Sequence, residues 1–354
     1  MYGSYTGRSQ ARGRATAGIR ATGTAAAVCA ALLLSGCSGG GGDDGGNDKD
    51  NDSPAAVEQQ PKAQDPYWVN PEGNAARQVA AYTKDGDEKN AALIRKIAEQ
   101  PVGDWISPDN AESQVKGITE AAAKADREAL LVLYNIPHRD CGQFSKGGAA
   151  DGNAYRAWLE SVAKGIGDRP ATVILEPDAL LHLVDGCTPQ EFHEERYDLL
   201  KGAIERLKQQ PATKVYLDAG NAAWQTPEAL YQPLQRAGIA EADGFSLNVS
   251  NFQTTAVSTE FGKKLSAKIG GKPFVIDTSR NGNGPYKGGD PAETWCNPPG
   301  RALGEVPTTQ TGDELVDAYL WIKRPGESDG ECKGGPKAGD WWPEYALGLV
   351  RATQ

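Results

Sequence analysis

Apolar stretches that end abruptly in polar residues recur along this chain. The sharpest is Ala171-Thr172-Val173-Ile174-Leu175-Glu176-Pro177-Asp178. Val173, Ile174 and Leu175 predict a strand buried on both faces, as in parallel sheets. Pro177 cannot donate to a ladder, so the strand stops before it. Asp178 then follows a strand's C-terminal end, where barrel enzymes carry their chemistry. Its alternative role is to cap the helix from Ala179 onward.

The same alternation runs from about Pro66 to the C-terminus. Helices are predicted over 74–81, 88–99, 111–128, 155–165, 191–209, 227–237, 254–269 and 345–352, each from apolar residues at helical spacing. Strands are predicted over 102–106, 129–136, from 171, and over 214–217, 244–249, 272–276 and 318–323. Strand and helix thus alternate about seven times, which implies parallel strands with helical crossovers. No glycine-rich phosphate fingerprint follows the first strand, which weakens a doubly wound nucleotide-binding sheet. Polar clusters at nearly every strand exit need a common face. A closed (β/α) barrel of fewer than eight strands supplies it.

The first 65 residues do not share this pattern. Arg8, Arg12, Arg14 and Arg20 precede a short apolar run, Thr24–Leu34, too brief to span a membrane. It ends in Leu34-Ser35-Gly36-Cys37, which resembles a bacterial lipobox. That resemblance implies a signal peptide over 1–36 and a lipid on Cys37. Residues 37–65 are rich in glycine, aspartate and asparagine and read as a flexible tether. Residues 66–354 form the expected folded domain. The expected location is outside the cell, tethered to the outer face of its membrane or released.

Net charge is −10, with no basic block beyond the N-terminus. A nucleic-acid partner would want a cationic face, so none is expected. The three histidines are not at metal-ligand spacing and no CxxC occurs, so no metal or cofactor is expected. Among its six cysteines, Cys29 lies in the signal segment. The four in the domain allow three pairings.

Aspartates stand at four predicted strand exits: Asp140, Asp178, Asp218 and Asp329. Carboxylates crowded on one face repel, so at least one should keep its proton. A protonated acid beside an ionised base is what acetal hydrolysis needs. Trp105, Tyr134, Trp224 and Trp295 lie near the same exits, where flat rings stack on sugar faces. Trp321, inside a predicted strand, reads as core; Trp341 and Trp342 fit either role.

These motifs are similar to those of glycoside hydrolase family 6. The resemblance rests on Tyr134-Asn135-Ile136-Pro137-His138-Arg139-Asp140-Cys141, Ile174–Asp178, Tyr216–Gly220, Trp295–Gly304 and Trp321–Gly330. It implies a distorted TIM-like (β/α) barrel of about seven parallel strands and an inverting cellulase acting on β-1,4-glucan, cellulose or cello-oligosaccharides. By resemblance Asp178 is the general acid. Asp140 raises its pKa and, with Ser145, helps hold the attacking water. Asp329 is the proposed base. Trp105, Tyr134, Asp218, Trp224, Asn251, Trp295, Lys323 and Glu327 are implied sugar contacts. Asn221 stands where many members have histidine; it keeps hydrogen bonding but loses the imidazole's reach and charge. The family pattern also implies disulfides Cys141–Cys187 and Cys296–Cys332.

Cellobiohydrolases of this family roof the cleft with long insertions. Here Cys332 follows Asp329 almost at once, and Asp178 to Cys187 is also short. An open cleft, an endoglucanase and a monomer are expected. A cellobiohydrolase of the same family and a non-catalytic oligosaccharide-binding lipoprotein are the alternatives. No cellulose-binding module is apparent, so soluble or amorphous substrate is expected.

Overall fold

The computed structural model describes residues 66–142, 144–290 and 293–353. The signal segment, Cys37 and the tether fall outside them. In chain order the elements are α1 (Asn74–Lys84), α2 (Glu88–Ala98), β1 (Asp104–Trp105), α3 (Ala111–Lys124), β2 (Ala129–Leu133), α4 (Gly152–Ile166) and β3 (Ala171–Leu175). Then come α5 (Leu181–Val184), α6 (His193–Leu207), β4 (Thr213–Asp218), α7 (Pro227–Arg236), β5 (Gly244–Leu247), α8 (Thr255–Lys268), β6 (Phe274–Asp277), β7 (Val316–Leu320) and α9 (Pro343–Ala352).

All seven strands are parallel and lie side by side in sequence order. The alternation within each strand explains the layering. Leu131, Leu133, Val173, Leu175, Val215 and Leu217 face outward and pack with helix residues such as Val115, Tyr155 and Leu200. Leu130, Val132, Ile174, Tyr216, Val275 and Leu320 face inward and fill the barrel. Both faces are therefore apolar, and the β2 and β3 sequences read as unbroken hydrophobic runs.

β1 and β7 share no ladder, so the barrel is distorted at this seam. It is bridged by Gly103 N–H donating to the Trp321 carbonyl at 2.9 Å and Trp105 Nε1 donating to the Ile322 carbonyl at 3.0 Å. Glycine is required here, because a Cβ at Gly103 would meet the Ile322 oxygen at 2.5 Å.

Several boundaries move for local reasons. β7 runs 316–320 and not 318–323, because its partner β6 ends where Asp277 pairs with Leu320. β6 begins at Phe274, since Pro273 has no N–H to give. α3 stops at Lys124, and Asp126 just beyond has φ +55°. Trp321 is core, at 1% exposure. Asp178 does not cap a helix: α5 starts at Leu181 with no side-chain cap.

The register sets the exits level. Leu133 pairs with Leu175, Leu175 with Leu217, and Asp218 with Ser246. The loops after β2, β3 and β4 therefore leave the sheet side by side.

Candidate active site

Asp140, Asp178 and Asp329 line one cleft of about 1030 Å³ with Trp105, Trp224 and Trp295. Asp178 follows β3 through a backbone that few residues adopt: φ is +50° at Glu176 and +66° at Asp178. Such left-handed positions cost free energy and persist only where the surroundings over-determine them. The Asp178 N–H donates to Asp218 Oδ2 at 2.9 Å. Asp218 in turn accepts from Ser246 Oγ at 3.1 Å and from Gly220 N–H at 3.1 Å. Gly220 makes this turn at φ +70°, where a Cβ would meet Leu181 at 2.6 Å. Burial pushes the Asp178 carboxyl well above the usual range, and the negative charges of Asp218, Asp140 and Asp185 push it further. Asp178 therefore keeps a proton where an exposed aspartate would have lost it.

Asp218 itself is fully buried and no part of it lines the cleft. The expected sugar contact at Asp218 is therefore not among the residues at the cleft surface. Asp218 is the last ladder residue of β4, so its side chain points into the sheet end beneath Asp178. Burial raises it to about 6, against the pull of its hydrogen bonds.

Asp140 is half-buried, at φ +56°. Its Oδ2 accepts from the Ser145 N–H at 2.6 Å. Burial raises its pKa as well, opposed first by that bond. Replacing Asp140 by asparagine removes an anion that holds the Asp178 proton. Asp178 should then titrate at lower pH, and the alkaline limb of kcat on cellopentaose should move down with it. An unmoved limb would show that Asp140 does not tune Asp178.

Asp329 has the opposite environment. Burial pushes it up, but Arg280 and Lys323 outweigh burial and hold it below the usual range. Arg280 Nη1 donates to Asp329 Oδ2 at 2.9 Å, Lys323 Nζ lies 3.6 Å from Oδ1, and Asn297 N–H donates at 3.0 Å. Arg280 is fully buried, and its guanidinium lies 4.4 Å from the Phe252 ring centroid. The cleft thus holds one carboxyl biased toward its acid and one fixed as its anion.

The rings are also fixed. Trp105 meets Tyr134 edge-on, with centroids 5.5 Å apart, and Arg139 lies over the Tyr134 face at 4.5 Å. Trp224 Nε1 donates to Asp185 Oδ2 at 3.2 Å, and His182 packs edge-on to the same indole at 5.1 Å. Trp295 packs against Phe144 at 6.1 Å. Ser145, Asn221, Asn251, Lys323 and Glu327 all line the cleft. Asn221 is nearly buried, with Oδ1 accepting from Ala223 N–H at 3.0 Å. Glu327 accepts from Asn74 at 2.8 Å and pairs with Arg324 at 3.1 Å.

Both expected disulfides are formed. Cys141–Cys187, with Cα atoms 6.0 Å apart, ties the β2 exit loop to the β3 exit loop. Cys296–Cys332, at 6.3 Å, ties the segment after β6 to the loop after Asp329. Each spacing suits an unforced bridge.

Sequence reading missed Arg280, Phe144 and Tyr286 as parts of the site. Arg280 stands in the polar run after β6, Asp277-Thr278-Ser279-Arg280-Asn281, which was its only signal. Phe144 is 46% exposed at the cleft rim, where a lone phenylalanine in a glycine- and serine-rich loop marks it.

The family model for glycosyl hydrolases family 6 matches residues 62–353. The chain belongs to glycosyl hydrolases family 6. This family 6 chain is 45% identical to endoglucanase A of Cellulomonas fimi over 291 residues, which cover 80% of it and 61% of that protein. It is 42% identical to endoglucanase A of Thermobispora bispora, covering 80% of this chain and 62% of that one. The chain therefore spans about three-fifths of these relatives' length. Endoglucanase 1 of Streptomyces halstedii is 42% identical, with 80% of this chain and 88% of that protein covered. Among solved structures, the endoglucanase Cel6 of Mycobacterium tuberculosis, in complex with a methyl-cellobiosyl-thio-cellobioside, superimposes with a TM-score of 0.76 at 44% identity. That match covers 82% of this family 6 chain and 98% of the other. The distorted barrel of about seven parallel strands implied by the resemblance is the fold found.

Proposed function

We propose that the protein is an endo-β-1,4-glucanase that cleaves internal glucosidic bonds with inversion. The observation that carries this is the pairing of Asp178, held toward its acid form, with Asp329, held ionised, in one cleft. Asp178 donates its proton to the glycosidic oxygen as the C1–O bond breaks. A water, oriented near Asp140 and Ser145, adds to C1 from the opposite face. Its proton passes to Asp329, directly or through a second water. Arg280 and Lys323 make Asp329 a weak base, which suits an acceptor that takes a proton only once the water is already bonding to carbon. Trp105, Trp224 and Trp295 stack on glucose faces, while Asn221, Asn251, Lys323 and Glu327 bond hydroxyls.

The endo mode is supported by the relatives' names and by the short loops beside the cleft. Asp178 to Cys187 and Asp329 to Cys332 leave little chain to roof it. The test is carboxymethylcellulose, followed by viscosity and reducing ends together. Viscosity should collapse while few ends have appeared. Slow thinning with steady release of cellobiose would instead mark a cellobiohydrolase, and binding without any release a non-catalytic sugar-binding protein.

Two disulfides beside the site fit an exported protein. The signal peptide over 1–36, the lipid on Cys37, the tether to 65 and a monomeric catalytic domain from 66 belong to the same proposal.

A further inference from the structure

The loop after β2 is gripped from two sides along four consecutive residues. Glu176 accepts from the Asn135 N–H, at 3.0 and 2.9 Å to its two oxygens, and from the Ile136 N–H at 2.9 Å. From α6, Arg196 Nη2 donates to the Pro137 carbonyl at 2.7 Å and the His138 carbonyl at 3.1 Å. Its Nη1 donates to the Ala179 carbonyl at 3.1 Å and to Thr188 Oγ1 at 2.7 Å. One guanidinium thus spans two loops: the one carrying Asp140, and the one carrying Asp178.

Arg196 is only 2% exposed, and these four bonds all go to neutral oxygens. Burying a cation costs several kcal/mol unless something compensates, and an apolar side chain would suit the helix as well. The backbone it holds is strained: φ is +56° at His138, +56° at Asp140 and +66° at Asp178. Strain of this kind persists only where neighbours over-determine it.

We propose that Arg196 is a positioning residue, whose guanidinium fixes the separation of Asp140 from Asp178. The proposal rests on the hydrolase reading above. The planar fork of guanidinium donors reaches both loops at once, whereas a lysine ammonium is a single point. The Cys141–Cys187 bridge still ties the two loops when the Arg196 contacts weaken, but Asp140 shifts relative to Asp178 and the attacking water loses its alignment. Sugar binding on the tryptophans is left intact.

The test is Arg196→Lys in the whole protein, assayed on cellopentaose across pH. The kcat should fall about 10- to 100-fold, the cost of a misplacement near 1 Å, with KM nearly unchanged. The alkaline limb of kcat should also move to lower pH, since a more distant Asp140 raises Asp178 less. Unchanged kcat and an unchanged limb would overturn the proposal. So would a kcat loss that merely tracks the unfolded fraction. If Arg196→Lys does not fold, Thr188→Val decides. It removes one partner of Nη1 without touching the buried charge. A several-fold lower kcat at constant KM supports the proposal; wild-type kcat overturns it. A wild-type protein that hydrolyses no β-glucan would instead sink the hydrolase reading itself.

Discussion

Asp178→Ala is expected to lower kcat on cellopentaose by about 10²- to 10⁴-fold, the range for losing a positioned general acid. That corresponds to about 3–5 kcal/mol of transition-state stabilisation. Binding of cello-oligosaccharides should survive, because Trp105, Trp224 and Trp295 are held by their own partners and not by Asp178. Asp178→Asn is the cleaner variant. Asparagine tolerates the left-handed φ of +66°, where alanine is strained, so its loss of activity reports chemistry and not backbone. A leaving group that needs no proton sharpens the test. On 2,4-dinitrophenyl β-cellobioside the defect should shrink markedly. An equal defect on both substrates would mean that Asp178 does something other than protonate.

Arg280→Met is expected to have the largest effect on stability. Asp329 would stay buried with the Asn297 N–H at 3.0 Å and Lys323 at 3.6 Å as its remaining partners. Removing one partner of a buried pair costs about 3–5 kcal/mol, mostly from the charge left behind. Urea denaturation at neutral pH should show the midpoint falling with an unchanged slope. The sign of the pH dependence follows from Asp329. Its folded pKa is depressed below the ordinary 3.8, so its pairing stabilises the fold above that value. This stabilisation is lost as pH falls through the folded pKa, and the gap between wild type and Arg280→Met should narrow there. The acid limb of activity should move upward in the variant, because an unpaired Asp329 takes up its proton sooner. A midpoint shift near zero would show that Lys323 and the Asn297 N–H suffice for Asp329.

What was legible in the sequence follows from what local pattern encodes. β2 and β3 stood out because strands buried on both faces are unbroken apolar runs, and the proline after Leu175 marks where β3 must end. Asp140 and Asp178 were readable because each follows such a run within a few residues, and Asp329 because it stands in the polar loop after β7. Asp218 looked the same but is buried in the sheet end. Whether a terminal aspartate leaves the sheet or stays in it depends on register, and Asp218 still pairs with Ser246. The end of β7 was misplaced for a related reason, since the length of a strand is set by its neighbour. Arg280, Glu176 and Arg196 were illegible as buried titratable groups. Nothing local distinguishes a charged residue that will be enclosed from one that will be solvated. Arg196 in particular follows Glu194 and Glu195 on a helix that reads as a solvent face. The disulfide pairing was open from cysteine count alone, and the family resemblance supplied it.

Inversion requires a water entering opposite the departing oxygen, between an acid at Asp178 and an anion at Asp329. Proton NMR of the first product released from cellopentaose tests this directly. The new reducing end should appear as the α-anomer before mutarotation. A β-anomer formed first would require a covalent or same-face route and would contradict the roles given to both carboxylates.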